Sequence, residues 1–441
     1  MSAKPANTLS YWFWRVQALC LIVGVCMFGV ACTTAPALPT PATEAAKAEP
    51  PAVRQASPGA TDTGATDKGQ APVGPAAAAK PPQTAAPGAA VPPRGPSEPR
   101  DAAKPKPRRL RIAAVGDIML GGSAAPELAR RGYAYPFVHT RPLFQQSDVV
   151  FGNLEGPLTN AGEPEPGKRY VFRSPPEKVA PALAAAGFNL VSLANNHSMD
   201  YGVAGLRETL TALDAAGIKH AGAGMNRRAA RQPAFISAGG HVVALLAYSL
   251  TFPDSFWARH DRPGTAFGHE RHVRADVAAA RQRADVVVVS FHWGREVTTE
   301  LRPYQPSLAH AAIDAGALVV LGHHPHVLQA IERYKQGIIF YSLGNFSFGS
   351  YSRNATRSIV ARLLVEDGRL TELQLIPINV NNVEVVFQPQ ILYAHEAGRV
   401  LEELQRLSEP LHVTISNQAG IGMVRLSEVP DQPLFSKANA K

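Results

Sequence analysis

"AGALVVLGHHPHV", residues Ala315–Val327, runs from the end of a predicted helix through a strand into a cluster of histidines. The Ala-Gly pair at its start is typical of a helix end, where glycine takes the first position past the last turn. The apolar run 317–321 shows no polar alternation, which favours a strand buried on both faces of a layered α/β domain. The histidines at 323, 324 and 326 follow directly, at the end of the strand where such sheets bind ligands.

Five further apolar runs have the same character, and amphipathic helix candidates lie between them. The strand candidates are 110–115, 147–151, 188–193, 285–290 and 337–342, and the helix candidates are 175–186, 202–216, 273–283 and 304–315. Alternating strands and helices with continuous Val, Leu and Ile runs predict an α/β domain with buried sheet. The segment 232–248 resembles a hairpin around Gly239-Gly240, and 358–386 alternates like additional antiparallel strands.

The N-terminal segment predicts export. An uncharged apolar run, 16–31, follows Lys4 and Arg15; it is short for a membrane span and fits a secretory signal. It ends in Gly29-Val-Ala-Cys32, which resembles the lipobox of bacterial lipoproteins, although a leucine-like residue is usual at position 29. We therefore expect a lipid-anchored protein of the cell envelope, either periplasmic or outer-membrane. Ordinary signal cleavage near Ala31 and an uncleaved anchor are the alternatives.

The next segment, 33–107, is rich in alanine, proline, threonine and glycine and contains no aromatic residue. Such a segment buries too little apolar surface to offset the entropy lost when its backbone is ordered. Four regions are therefore expected: a signal peptide with lipobox over 1–32, a disordered linker over 33–107, a folded domain over 108–390, and a C-terminal extension over 391–441. The extension is expected to pack on the domain and to end in a flexible tail.

The net charge of +9 is spread along the chain, without a basic stripe interleaved with aromatic residues. Nucleic-acid binding is therefore not expected. All three cysteines lie at positions 20, 26 and 32, so the folded part must be stable without a disulfide. A mild preference for anionic polymers at a cell surface is compatible with this charge.

Acidic, amide and imidazole side chains stand directly after the predicted strands. Because the carboxyl ends of strands in an α/β sheet line one crevice, we expect these groups to converge. Carboxylate, imidazole and amide groups without a thiolate form a ligand set suited to Mn, Fe or Zn. Any one of them alone has an ordinary explanation, such as a helix cap or a turn residue. The set comprises Asp117, Glu155, Asn196, His197, His292, His324 and His326.

Three further residues are not included in this set of candidate ligands. By strand alternation, His323 points to the opposite face from His324 and His326, so it is not expected to be a ligand. Arg173 is a candidate clamp for a carboxylate or phosphate, with a solvated surface arginine as the alternative. Asn345, which follows the strand at 337–342, is a candidate substrate-binding residue.

Six short motifs that carry these residues occur in an order that resembles the CapA family of bacterial poly-γ-glutamate capsule biosynthesis proteins. The resemblance covers about 108–357. The motifs are Gly116-Asp-Ile-Met119, Gly152-Asn-Leu-Glu155, Ala194-Asn-Asn-His197, His292-Trp-Gly294, Gly322-His-His-Pro-His326 and Ser342-Leu-Gly-Asn-Phe346. The family is a branch of the calcineurin-like metallophosphatases. The resemblance therefore implies a four-layer α/β/β/α sandwich that holds two divalent metal ions at its strand ends.

The resemblance also implies roles. Asp117 and His326 would hold the first metal, Glu155 would bridge, and His197 would act as an acid or oxyanion donor. Asn196, His292 and His324 would hold the second metal. The chain departs from the superfamily's Asp-x-His at Met119, which leaves the first site short of a nitrogen ligand, and Glu155 replaces a motif with two aspartates.

Two functions fit the resemblance. One is a metal-dependent hydrolase or transferase that acts on a phosphoester or on a surface polymer such as polyglutamate during capsule biosynthesis. The other is a non-catalytic envelope component that uses the same cleft to bind the polymer or a synthase partner.

Overall fold

The computed structural model describes residues 107–426. The expected signal peptide and lipobox, the linker up to residue 106 and the end of the C-terminal extension lie outside these residues. In the described range, none of the helices has the length and apolarity needed to span a bilayer.

From Arg109 to the end of the described residues, strands alternate with helices and connecting loops. The strands are β1 (Arg109–Met119), β2 (Val149–Leu154), β3 (Leu190–Ser192), β4 (Lys219–Ala221), β5 (Ala223–Gly224), β6 (Ala234–Ala238), β7 (His241–Ser249), β8 (Gly264–Thr265), β9 (Val286–His292), β10 (Val319–His323), β11 (Ile331–Tyr334), β12 (Gly337–Phe340), β13 (Asn345–Phe348), β14 (Arg357–Glu366), β15 (Arg369–Asn379), β16 (Gln390–Ile391), β17 (Ile415–Gln418) and β18 (Ile421–Val424).

The α-helices are α1 (Ala125–Arg131), α2 (Arg141–Phe144), α3 (Pro176–Ala186), α4 (Gly202–Ala215), α5 (Arg227–Ala230), α6 (Glu270–Arg281), α7 (Tyr304–Asp314), α8 (Asn382–Val385) and α9 (Ala394–Ser408). Several end at a glycine, as the sequence predicts. Gly316 follows α7 with φ 113°, a conformation that a residue with a Cβ rarely adopts.

The strands form two large sheets. The first has the order β17-β18-β15-β14-β1-β2-β3-β4, with β13 paired to β1 and β16 paired to β15. The second has the order β11-β12-β10-β9-β7-β6. Parallel pairs form one end of the first sheet, β1–β2–β3–β4, and the centre of the second, β7–β9–β10–β12. The predicted hairpin is β6–β7, and the predicted antiparallel strands include β14 and β15.

Successive side chains of the central strands enter different cores. On β9, Val286 and Val288 face an inner core shared with the first sheet, whereas Val287 and Val289 face α6 and α7. On β1, Ile112 enters the inner core and Ala113 packs toward α3 and α4. The layer order is therefore helices, sheet, sheet, helices, which confirms the expected α/β/β/α sandwich.

The C-terminal part of the described chain packs against the same core. β18 pairs with β15, and the apolar face of α9, including Val400 and Leu404, lies in the inner core between the sheets.

Candidate metal centre

The polar side chains converge at the carboxyl ends of parallel strands from both sheets. Asp117 lies near the end of β1 and Glu155 directly follows β2. His292 is the last residue of β9, and Asn196 and His197 follow β3. Asp117, Glu155 and His292 are at most 1% exposed. The packing of the two sheets thus brings together residues that are far apart in the sequence.

The histidine-rich turn after β10 corrects one prediction. His323 is still in the strand, in register with His292, so its side chain points toward the site and not to the opposite face. The alternation argument failed because the strand ends at His323 and the chain then turns, with φ of 93° at His324 and 61° at His326. Positive φ at a non-glycine residue costs on the order of 1 to 3 kcal/mol, and such strain is concentrated at functional sites.

Asp117 is surrounded by hydrogen-bond donors. Its Oδ1 accepts from Asn153 Nδ2 at 2.9 Å and lies 3.1 Å from Nδ1 of His323. Its Oδ2 accepts from the backbone N–H of His324 at 3.2 Å and lies 3.2 Å from Nδ1 of His326. Nδ1 of His326 is also 2.9 Å from Oδ1 of Asn345.

A second group surrounds His292. Its Nε2 lies 2.8 Å from Oδ1 of Asn196 and 3.5 Å from Oε1 of Glu155. The imidazole of His324 stacks obliquely beside it, with ring centroids 4.7 Å apart. Within residues 107–426, Oε1 of Glu155 and Nδ1 of His324 are buried and have no hydrogen-bond partner. A buried acceptor without a partner is costly, so these atoms fit a site that a cation completes.

These side chains form candidate ligand groups for divalent metal ions, with the ligand atoms of each group within 4.8 Å of one another. One group is Asp117, Glu155 and His326, and another is Glu155, His292 and His324. Glu155 belongs to both, so the geometry suits a pair of ions that share one carboxylate. A third group contains Glu296, His324 and His326.

The pKa values of the two buried carboxyl groups, Asp117 and Glu155, are shifted in opposite directions. Burial raises the pKa of Glu155 well above its usual value, and the charge of Asp117 raises it further. Burial acts in the same direction on Asp117, but hydrogen bonds with His323 and His326 outweigh it and bring the pKa of Asp117 well below its usual value. Such opposed shifts in one cleft are typical of functional sites.

The histidines are shifted in opposite directions too. Burial and the neighbouring His326 lower the pKa of His324 to about 3, and burial and His324 hold the pKa of His292 well below its usual value. Burial also opposes protonation of His326, but Glu155 and Asp117 raise its pKa to about 9. His292 and His324 are therefore neutral near pH 7, which is the form that binds a metal.

His197 is held in place by a carboxylate. Its Nδ1 lies 2.7 Å from Oδ2 of Asp200, which also accepts the backbone N–H of Phe172 at 2.8 Å. Lys168 forms an ion pair with Asp200 and donates to the backbone carbonyl of Asn196. Burial lowers the pKa of His197, and Asp200 partly offsets this. In the tautomer that donates from Nδ1 to Asp200, Nε2 is the nitrogen available for chemistry.

A cleft of about 280 Å³ opens beside these residues and is lined by His197, His326 and Asn345, together with Tyr170, Phe172, Glu296, Val297, Phe348, Ser350, Tyr351, Ser352 and Ala355. Arg173 is not part of this lining. It is exposed, and its guanidinium lies 4.7 Å from the centre of the Tyr201 ring.

Met119 is almost fully buried, and its Sδ accepts a hydrogen bond from the backbone N–H of Gly121 at 3.3 Å. Position 119, where the resemblance implies a histidine ligand, therefore offers no nitrogen to the site.

Four contributors were not identified from the sequence: Asn153, Lys168, Asp200 and Glu296. Asp200 could have been found, because an acid three residues after His197 is within reach of its ring. Asn153 lies within a quoted motif and donates to both Asp117 and Glu155. Lys168 and Glu296 reach the site from loops, and their sequence neighbourhoods carry no signal.

Comparison with known proteins identifies the family of this chain. The family model described as "Bacterial capsule synthesis protein PGA_cap" matches residues 111–350. The "Capsule biosynthesis protein CapA" of Bacillus anthracis is 35% identical over 278 residues, which cover 62% of this chain and 68% of that protein.

Two further relatives have similar identities. The "PGA biosynthesis protein CapA" of Bacillus subtilis (strain 168) is 32% identical over 62% of this chain and 72% of its own length. The "Probable polyglutamine synthesis accessory protein" of Mycobacterium tuberculosis (strain CDC 1551 / Oshkosh) is 34% identical over 54% of this chain and 68% of its own length. The chain therefore belongs to the PGA_cap family of bacterial capsule synthesis proteins, as its CapA-like motifs indicate.

Proposed function

We propose that this protein is a dinuclear metal-dependent hydrolase or transferase that acts on a surface polymer, such as polyglutamate, or on a phosphoester during capsule biosynthesis. The observation that carries the proposal is the pair of buried ligand atoms without a hydrogen-bond partner, Glu155 Oε1 and His324 Nδ1, which lie in ligand groups with His326, a residue that lines an open cleft. A buried polar atom without a hydrogen-bond partner is costly, and a bound cation would satisfy both of these atoms.

Asp117, Glu155 and His326 would hold the first ion, and Glu155, Asn196, His292 and His324 would hold the second. When bound, divalent ions such as Mn, Fe or Zn supply Lewis acidity and a nucleophile at neutral pH, which suits cleavage of a phosphoester or an amide.

His197 is the residue proposed to move a proton. Asp200 fixes its ring through Nδ1, so that Nε2 can take up a proton and return it to the leaving group. Lys168 and the backbone N–H of Phe172 keep Asp200 itself in place. His197 is 6% exposed and lines the cleft, so a substrate in the cleft would reach it.

The cleft suits an extended substrate with apolar and polar parts. Tyr170 and Tyr351, both more than half exposed, stand at its rim, and Asn345 lines its wall. Among the described residues that line it there is no lysine or arginine. Anionic groups would therefore be attracted by the ions, and Arg173 would bind only a substrate long enough to extend beyond the cleft.

We further propose that the protein is exported and lipid-anchored in the cell envelope through Cys32. A surface polymer or an envelope synthase component would then be the partner available to the cleft. The names of the CapA relatives support a place in poly-γ-glutamate synthesis.

A non-catalytic role in the same system is the second candidate. The observation that favours it is Met119, whose side chain is packed away and gives the first ion no nitrogen ligand. A protein that only binds polymer or a synthase would tolerate the absence of this nitrogen ligand. In addition, one relative is named an accessory protein.

The two candidates are separated by metal content together with hydrolysis of a generic phosphodiester and of γ-linked polyglutamate. The full chain should bind divalent ions and cleave at least one substrate. His197→Ala should keep the metal and lose the activity, and the exposed His260→Ala should keep both. A metal-loaded wild type that cleaves neither substrate would favour the non-catalytic role.

A further inference from the structure

The first ion of the proposed centre has few ligands. Asp117, Glu155 and His326 are the only side chains in its candidate group within residues 107–426. Met119 cannot add a good one, because its Sδ already accepts the N–H of Gly121 and a thioether is a poor ligand for a hard divalent ion.

The loop after β9 brings a further carboxylate to this side of the site. Ligand atoms of Glu296, His324 and His326 lie within 4.8 Å of one another. Glu296 is exposed and lines the cleft, and it forms no ion pair with any residue of the described chain.

Val297, the residue after Glu296, attaches this loop to the histidine-rich turn. The backbone N–H of Val297 donates to the carbonyl of Pro325 at 2.9 Å, which fastens this loop to the histidine-rich turn. Val297 has φ 54°, which is a strained conformation for a β-branched residue. Strain of this kind persists only where the surrounding structure enforces it, and it points to a functional constraint on the loop.

We propose that Glu296 is an additional metal ligand, contributed from the mouth of the cleft, that compensates for the nitrogen missing at position 119. The proposal rests on the metal-dependent function proposed above. It gives His326 a carboxylate neighbour at the mouth of the cleft in addition to Asp117 and Glu155, and carboxylate oxygens favour an oxygen-preferring ion such as Mn²⁺.

The test is a calorimetric titration of the metal-free full chain with Mn²⁺, with bound Mn²⁺ counted by elemental analysis. Glu296→Gln should lower the affinity for at least one Mn²⁺ by about tenfold or more. Glu300→Gln, an exposed carboxylate in the same loop, should titrate like the wild type. In the Glu296→Gln chain, Met119→His should restore much of the lost affinity, because positions 117 and 119 share one face of β1.

A second measurement distinguishes a loss of metal binding from misfolding of the variant. Without metal, Glu296→Gln should melt at the wild-type temperature, and only the rise in Tm caused by Mn²⁺ should shrink. The proposal is overturned if Glu296→Gln titrates like Glu300→Gln while His324→Ala loses affinity. If His324→Ala also binds Mn²⁺ like the wild type, the metal-dependent function itself is wrong.

Discussion

Nδ1 of His323 lies 3.1 Å from Oδ1 of Asp117, while the other oxygen of the same carboxylate is 3.2 Å from Nδ1 of His326. His323 belongs to no candidate ligand group in the described chain, whereas His326 belongs to two. We therefore expect the two histidines to have different roles in the proposed metal centre. His323 orients the carboxylate of Asp117, and His326 binds the metal ion together with that carboxylate.

His323→Ala is expected to keep the metal stoichiometry at saturating metal but to lower affinity by about 10- to 100-fold, because Asp117 loses an orienting partner. The unfolding free energy should fall by about 1 to 3 kcal/mol. Calorimetric titration measures the affinity, and the more exposed His220→Ala is the control. A loss of one equivalent of metal would instead make His323 a ligand.

Asp200→Asn tests how His197 is held. The metal content should not change, and kcat on a phosphodiester should fall by about 10²- to 10⁴-fold, because the ring is no longer fixed by a carboxylate. Asp214→Asn, an exposed aspartate on α4, is the matched control. Rates are compared below the melting temperature of both chains, since Lys168 also loses its partner. An unchanged kcat would remove Asp200 from the mechanism.

Gly322→Ala tests the packing that places the histidine-rich turn. A Cβ at this position would lie 2.0 Å from the carbonyl oxygen of Tyr341, and backbone cannot easily move away. We expect a loss of about 2 to 4 kcal/mol in the unfolding free energy. Gly398→Ala, within α9, should be neutral or stabilise by up to about 1 kcal/mol, since its Cβ meets only the Asn417 side chain at 3.4 Å. Equal denaturation midpoints would contradict this explanation.

Cys32→Ser tests the proposed anchor. The wild-type protein should partition into detergent, and the variant should remain in the aqueous phase, because the acylated thiol is gone. Cys26→Ser, which lies within the apolar run, should behave like the wild type. If Cys32→Ser fractionates with the membrane as well, an uncleaved N-terminal anchor is the better explanation.

The fold was largely predictable because its central strands are buried on both faces. A run such as Val286–Val289 needs apolar residues toward both cores, and that continuous pattern is visible in the sequence. Element ends were less accurate: the strand expected at 317–321 spans Val319–His323, because its ladder with β9 continues to His292. Short strands such as β13 and β16 carry too few residues to show a period.

The site was predictable only where it follows strand ends. Asp117, Glu155, His292 and His324 stand there, and the packing of the two sheets brings them together. The face of His323 was mispredicted, because positive φ at the next residues cannot be inferred from histidine and proline. The loop that carries Glu296 is placed by long-range hydrogen bonds, such as those from Val297 to Pro325 and from Gln329 to Thr298, that cannot be inferred from the sequence.

Metal content of the full chain is the most direct test of the central claim. After loading with Mn²⁺ and desalting, His324→Ala and His326→Ala should each carry less metal than the wild type. The double variant should be barely worse than the more damaging single change, because ligands act as a unit. His220→Ala should carry as much metal as the wild type. Equal metal in the wild type, His324→Ala and His326→Ala would contradict the account, since the histidines would then be only a crowded strand end.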